Sequence, residues 1–187
     1  MILTWGRIAI APLFFLFFEL ADGGGAPLLA GVWAVFLLIE VSDLLDGHFA
    51  RSRQQESEIG KVLDPFADAI SRLTYFVAFA GARILPLWIL LIIVYRDVAV
   101  AYIRVMISSS QVLMPARLSG KLKAWIYAFA GGGGILVFSL RKLALLPGFM
   151  PVIQGIAFLL FILAALVALW SLADYGAFFL KNFRKSS

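Results

Sequence analysis

The sequence predicts an all-α integral membrane bundle of six transmembrane helices, and three observations carry that expectation. The 187 residues are 63% hydrophobic and only 14% charged, whereas a soluble domain of this size carries roughly 25% charged residues. The mean hydropathy is +0.97. Polar, glycine-rich or proline-marked breaks divide the chain into stretches close to the ~20 apolar residues that a helical span requires, and the length leaves room for about six of them. Short connections leave no room for a separate soluble unit, so residues 1–187 read as a single transmembrane domain.

The first span is expected from about Ile2 to Leu20, stopped by Ala21 to Gly25. Its early cation and apolar run resemble a signal peptide in outline, but no small-x-small site directly follows, so a retained span is expected. The second runs from about Pro27 to Phe49 and carries Asp43 and Asp46 near its far end. A polar loop, Arg51 to Ser57, leads to the third span, about Glu58 to Ala82, which Arg83 and Pro86 close because proline punctuates a helix. The fourth runs from about Leu87 to Val112 with Arg96, Asp97 and Arg104 inside it, before a short basic loop, Met114 to Lys123. The fifth, about Ala124 to Leu140, contains Gly131 to Gly134; four glycines weaken a helix in water but permit close packing in a bundle. Arg141 to Pro151 turns the chain into the sixth span, about Val152 to Leu180, and a basic tail.

Six spans put both termini on one side, and loop cations choose the side. Arg7, Arg51, Arg53, Lys61, Arg117, Lys121, Lys123, Lys181, Arg184 and Lys185 fall on one face, against Arg83, Arg141 and Lys142 on the other. The termini and the acidic segment described next are therefore expected on the cytoplasmic face of a cell (inner) membrane. Trp5, Trp88, Trp125 and Trp170 suit interface anchors. The net charge of +5 suits anionic lipid or phosphate partners. Nucleic acid is not expected, because no basic stripe is long enough to follow a duplex. With no cysteine, disulfides and thiolate metal sites are excluded.

Six of the 11 acidic residues lie between positions 43 and 68, namely Asp43, Asp46, Glu56, Glu58, Asp64 and Asp68. The four aspartates are embedded in apolar sequence, where ionisable groups are expensive and mark function. Asp43, Asp46 and Ala50 share one helix face, and Gly60, Asp64 and Asp68 share another. If the polar loop joins two antiparallel helices, small residues let the backbones approach and the carboxylates converge. Such a cluster must take up protons or hold cations. Hard divalent ions, Mg²⁺ or Mn²⁺, suit oxygen ligands, and two of them roughly 3.5–4 Å apart form the arrangement used for displacement at phosphorus. Glu40, one turn before Asp43, is placed to face the same cavity.

The order of these residues resembles the signature of the CDP-alcohol phosphotransferases, D-x-x-D-G-x-x-A-R followed by G-x-x-x-D-x-x-x-D. Asp43, Asp46, Gly47, Ala50, Arg51, Gly60, Asp64 and Asp68 fill every fixed position. The resemblance implies that Asp43, Asp46, Asp64 and Asp68 ligate two metal ions and that Asp68 also serves as the base. It implies a donor site walled by Gly47, Ala50 and Gly60, with Arg51 at the diphosphate, and a homodimer of six-helix chains. His48, the single histidine, fills a variable position and is expected to pack rather than react.

The opening MILTWGRIAIAP resembles the L-T-x-x-R-x-x-x-x-P start of the phosphatidylglycerophosphate synthase branch of that family, with Thr4 and Arg7 matching. In that resemblance both sit by the nucleotide or pyrophosphate. Arg96, Arg104, Ala116, Gly120, Lys121 and Lys123 match a later region of the same branch. Cations on a span and the adjoining loop suit a phosphate on the incoming alcohol, so Arg104, Lys121, Arg117, Lys123 and Arg72 are the acceptor-phosphate candidates. The implied substrates are CDP-diacylglycerol, a membrane lipid, and glycerol 3-phosphate. Two departures bear on the acceptor: Ala69 stands where the branch has lysine, with Arg72 one turn on as a substitute charge, and Ala124 replaces a threonine. Inositol phosphate, serine or a second lipid therefore stay open as acceptors. From another class, a divalent-cation transporter would also use buried aspartates, but no acidic residues continue to the opposite face.

Overall fold

The computed structural model describes residues 2–52, 58–109 and 117–183, with side chains described over 5–43, 66–107 and 117–181. Within these residues the structure is all-helical. The elements are α1 (Ile2–Gly23), α2 (Ala26–Ser52), α3 (Glu58–Gly81), α4 (Leu87–Ser109), α5 (Leu118–Lys142) and α6 (Met150–Phe183), with a 3-10 turn at Pro147–Phe149. The helices run two to six residues past several expected ends, and the largest shift is at α5, which begins inside the stretch expected as a basic loop. Leucine and lysine favour helix there, and Ser119 and Lys123 turn inward and are buried, so this first turn is held by packing.

Among the described residues three helical segments are long and apolar enough to cross a membrane: Ala26–Asp43, Leu118–Lys142 and Pro147–Lys181. The other helices are interrupted by charge. α1 carries Arg7, Glu19 and Asp22, α4 carries Arg96, Asp97 and Arg104, and α3 carries Asp64, Asp68 and Arg72. Most of the charges that lower their hydropathy are those that build the polar centres described below.

α1 packs along both α2 and α3, while α2 and α3 touch each other only slightly among the described residues. α3 also meets α4 and α5, and α6 packs along α4 and α5. Among the described residues α2 and α3 are linked by the Asp43–Arg72 ion pair, with α1 packed beside both. The small residues expected to allow that approach, Gly47, Ala50 and Gly60, have side positions outside the described residues. At the α3–α4 turn Arg83 takes a left-handed φ of 56°, which lets the Ile84 N–H donate to the Phe79 carbonyl at 2.8 Å.

An aromatic core fills the middle of the bundle. Phe18 of α1 stacks on Phe138 of α5 at 4.0 Å between ring centres, and Phe79 of α3 meets Phe14, Phe18 and Phe161. Tyr75 packs against Phe14, Phe36 and Phe76 at one edge of this cluster. Asp68, Arg72, Tyr75 and Phe79 follow one face of α3 at helical spacing, so one stripe passes from charge to core. The glycines of α5 serve that core: a Cβ on Gly131 would lie 2.7 Å from Phe36, and one on Gly134 would lie 2.5 Å from Phe79.

These distances separate the four glycines. Gly134→Ala should cost about 1–3 kcal/mol through overpacking against a gain of about 1 kcal/mol in helix propensity, a net destabilisation of up to about 2 kcal/mol. Gly132→Ala, whose Cβ meets only Phe36 at 3.9 Å, should be neutral or stabilising. Thermal unfolding in detergent checks the contrast, and equal shifts for the two variants would contradict it.

Candidate active site

Two polar centres lie at the same end of the bundle. The first is built on Arg72, whose side chain is 3% exposed. Its Nη2 lies 2.7 Å from Asp43 Oδ2 and 3.8 Å from Glu40 Oε2, and its Nη1 lies 2.9 Å from Asp68 Oδ1. Arg7 of α1 reaches the other oxygen of Asp43 at 2.8 Å. One planar guanidinium thus gathers carboxylates from α2 and α3, a geometry that its forked donors suit. The core fixes this centre from below: the Tyr75 hydroxyl donates to Glu40 Oε1 at 3.4 Å, and Ser71 Oγ donates to the Arg7 carbonyl at 3.5 Å.

The second centre is a small cleft of about 40 Å³ between α3, α4 and α5, lined by Asp68, Arg96, Asp97, Arg104, Gly120 and Lys123 among others. Asp97 Oδ1 accepts from Arg96 at 2.6 Å and from Lys123 at 2.8 Å. The Lys123 ammonium also lies 4.6 Å from the centre of the Tyr127 ring. Both cations are nearly fully buried, and sharing one carboxylate leaves this set net positive. Asp68 lines the cleft and also binds Arg72, so it stands between the two centres.

The structure brings together Asp43, Asp68, Arg7 and Arg72, and separately Arg104 and Lys123 with Arg96. Arg72, expected among the acceptor-phosphate cations, instead faces three carboxylates. Arg117 is paired with Asp174 of α6 at 2.7 Å, and Lys121 is exposed on α5. Asp46, Gly47, Ala50 and Arg51 fall on the last turns of α2, and Gly60 and Asp64 on the first turns of α3; their side chains, with those of Thr4 and His48, lie outside the described residues. Among the described residues no group of three or more His, Cys, Asp or Glu side chains is placed to hold a metal. Sequence reasoning missed the α6 contribution of Ser171, Asp174 and Tyr175. The signal was present, since Asp174 is an acid in an apolar stretch and the three share a helix face.

An apolar groove of about 630 Å³ runs between α2, α5 and α6. Its walls include Phe36, Leu37, Phe129, Gly133 and Leu160, and at one end it reaches Glu40, Asp43 and Arg72. Gly132 and Gly133 line this groove, whereas Gly131 and Gly134 are buried against core rings. A greasy channel thus opens onto the first charged centre.

A family profile described as CDP-alcohol phosphatidyltransferase matches residues 1–179. The chain is 33% identical over 130 residues to a CDP-diacylglycerol--glycerol-3-phosphate 3-phosphatidyltransferase of Treponema pallidum, a match covering 70% of this chain and 57% of that protein. It is 33% identical over 140 residues to a probable phosphatidylglycerophosphate synthase of Mycobacterium tuberculosis, covering 74% and 66%. It is 41% identical over 98 residues to a cardiolipin synthase (CMP-forming) of Streptomyces coelicolor, covering 51% and 45%. The matched part of the chain therefore spans between 45% and 66% of these relatives' lengths.

The charge balance at Arg72 predicts a large effect of removing it. Arg72→Met removes the cation that Asp43, Asp68 and Glu40 share, leaving only Arg7 on Asp43, and should destabilise the protein by about 1.5–3 kcal/mol, the cost of losing hydrogen bonds between charged groups, since Asp43 and Asp68 are partly exposed. Tyr75→Phe, which removes one hydroxyl shared at long range between Glu40 and the Tyr127 carbonyl, should cost no more than about 1.5 kcal/mol. Unfolding of both variants in detergent with a chelator present measures the difference; a mild Arg72→Met effect would contradict this account.

Proposed function

Because the chain belongs to the CDP-alcohol phosphatidyltransferase family, we propose that it transfers the phosphatidyl group of CDP-diacylglycerol to glycerol 3-phosphate, giving phosphatidylglycerophosphate and CMP. The observation that carries this reading is the position of Asp68, which binds Arg72 at the carboxylate centre and lines the cationic cleft. A group with that double placement suits a base between a donor site and an acceptor site.

In this reading the apolar groove takes the acyl chains of the donor and delivers its diphosphate to the carboxylate centre. Asp43 and Asp68 fit a hard divalent cation: both are oxygen donors, they come from different helices, and both reach one guanidinium. With Asp46 and Asp64 they would hold two Mg²⁺ or Mn²⁺ ions. Bound there, the ions would supply Lewis-acid stabilisation of charge on the phosphoryl oxygens. Thr4, Arg7, Arg51, Gly47, Ala50 and Gly60 complete the donor site, with Arg7 beside Asp43 well placed for the diphosphate. Arg104 and Lys123, joined by Arg96, hold the acceptor phosphate in the cleft, and Lys121 attracts it from the surface. Arg117 and Arg72 act instead by holding Asp174 and the carboxylate centre.

The acceptor hydroxyl oxygen then forms a bond to the lipid-side phosphorus, and the bond from that phosphorus to the bridging oxygen of CMP breaks. The hydroxyl proton passes to Asp68, and CMP leaves with the electron pair. Arg104 and Lys123 do not enter this exchange; they orient the acceptor so that its hydroxyl faces Asp68.

The same reading makes the protein a single transmembrane catalytic domain in which all six helices cross the membrane, α1, α3 and α4 hiding their charges in the two centres. Loop cations support a cytoplasmic active site and cytoplasmic termini in the cell (inner) membrane. Family membership supports a homodimer. Similarity to a cardiolipin synthase (CMP-forming) favours one second reading, in which the acceptor is itself a lipid.

CMP release by the purified protein separates these readings. With CDP-diacylglycerol and Mg²⁺, release should require glycerol 3-phosphate and fail with inositol, serine or phosphatidylglycerol; release with phosphatidylglycerol alone would move the function to the second reading. Asp68→Asn should lower kcat by about 10²-fold or more, and near-normal turnover would remove Asp68 as the base. Arg104→Gln should raise the acceptor KM by roughly 10-fold to 100-fold, as expected for a lost charged hydrogen bond, with little change in the donor KM.

A further inference from the structure

The cations of the cleft come from α4 and α5, but α6 fixes how they point. Tyr175 of α6 is buried, and its hydroxyl accepts a hydrogen bond from Arg104 Nη2 at 2.7 Å. The guanidinium carbon of Arg104 lies 5.2 Å from the centre of the same ring, and that of Arg96 lies 5.8 Å from it. One turn earlier on α6, Ser171 Oγ accepts from Arg96 Nη2 at 2.6 Å. A Cβ on Gly120 would come within 3.0 Å of the Tyr175 hydroxyl. Glycine at the start of α5 therefore leaves the space into which the phenol reaches.

The geometry points to Tyr175 as a positioning residue for the acceptor: its ring and hydroxyl hold Arg104 in the cleft with its charge left available to a phosphate. This deepens the transfer reading above and rests on it.

The chemistry of the partner is what matters. Arg96 and Lys123 share Asp97, and Arg117 is held by Asp174. Each of these cations is oriented by a carboxylate that also offsets its charge. Among the described residues no carboxylate forms an ion pair with Arg104. A neutral phenol takes up one of its five N–H donors and its flat face, and leaves the guanidinium without a carboxylate paired to it. An arginine otherwise loses considerable rotamer freedom on binding, and a side chain already ordered loses less. Tyrosine at this position thus combines rigidity with net positive charge, which aspartate or glutamate would not. A phosphomonoester on the incoming alcohol is the ligand that such a cation fits, bidentate and through the remaining donors.

The test separates positioning from bulk packing. Tyr175→Phe keeps the ring and removes the hydroxyl; the acceptor KM should rise about tenfold, the size expected for a lost hydrogen bond to a charged group, while kcat and the CDP-diacylglycerol KM stay within about twofold. Gly120→Ala, which crowds the hydroxyl from the other side, should shift the acceptor KM in the same direction. Because Tyr175 acts through Arg104, the Tyr175→Phe, Arg104→Gln double variant should be no worse than Arg104→Gln alone. An unchanged acceptor KM in Tyr175→Phe, parallel losses in kcat and donor KM, or additive effects in the double variant would overturn the inference. Calorimetric titration of glycerol 3-phosphate into wild type and Tyr175→Phe, without donor, keeps the two levels apart. Weaker binding in the variant supports the positioning role even if wild type releases no CMP, which would overturn the transfer reading alone; equal binding overturns the positioning role whatever the turnover.

Discussion

Carboxylates placed between apolar helices need a cation beside them or a proton, and that requirement organises this structure. Arg72 pairs with Asp43 and Asp68 at hydrogen-bond distance and lies 3.8 Å from Glu40, with Arg7 closing on Asp43 from α1. The usual way to join two helices in a membrane is close backbone packing through small residues. Among the described residues a guanidinium links α2 to α3, and α1 packs beside both. The aromatic core then has a defined task, since Tyr75 belongs to it and also reaches Glu40. Core packing and charge placement are coupled along the single stripe of α3.

The cleft repeats the same logic with an opposite balance. At the first centre carboxylates outnumber the cations that bind them; in the cleft Asp97 is shared by Arg96 and Lys123, and Arg104 is held by a phenol. An acidic centre suits metal ions and a cationic one suits an anionic acceptor. Asp68 belongs to both, a placement that suits the transfer proposed above. In that proposal the apolar groove, which reaches Glu40, Asp43 and Arg72, adds a route for a lipid's polar end to the acidic centre.

Much of this was legible in the sequence, for particular reasons. The helices were readable because apolar runs end at Gly23 to Gly25, Arg83 and Pro147 or Pro151, and the acids were conspicuous because charge is rare in such runs. The pairing of Arg72 with Asp68 follows from their spacing of four residues. Three-dimensional partners were harder. Nothing local in the sequence links Asp174 to Arg117 or Tyr175 to Arg104, because each pair is separated by more than 50 residues and meets only when α6 packs along α4 and α5. The start of α5 was also misjudged: its lysines suggested a solvated loop, whereas Lys123 is buried because Asp97 receives it.

Asp43 and Asp68 converge on cations, and arginines fill that role among the protein's own groups; in the proposed function divalent ions bind there. Binding of Mn²⁺ to the purified protein, followed by paramagnetic resonance in wild type, Asp43→Asn and Asp68→Asn, tests this most directly. The account predicts two Mn²⁺ per chain, close enough to couple, and a loss of affinity in each variant at least as large as the roughly tenfold effect of outer-shell changes. Wild-type protein that binds no Mn²⁺, or binding left unchanged by both substitutions, would contradict it.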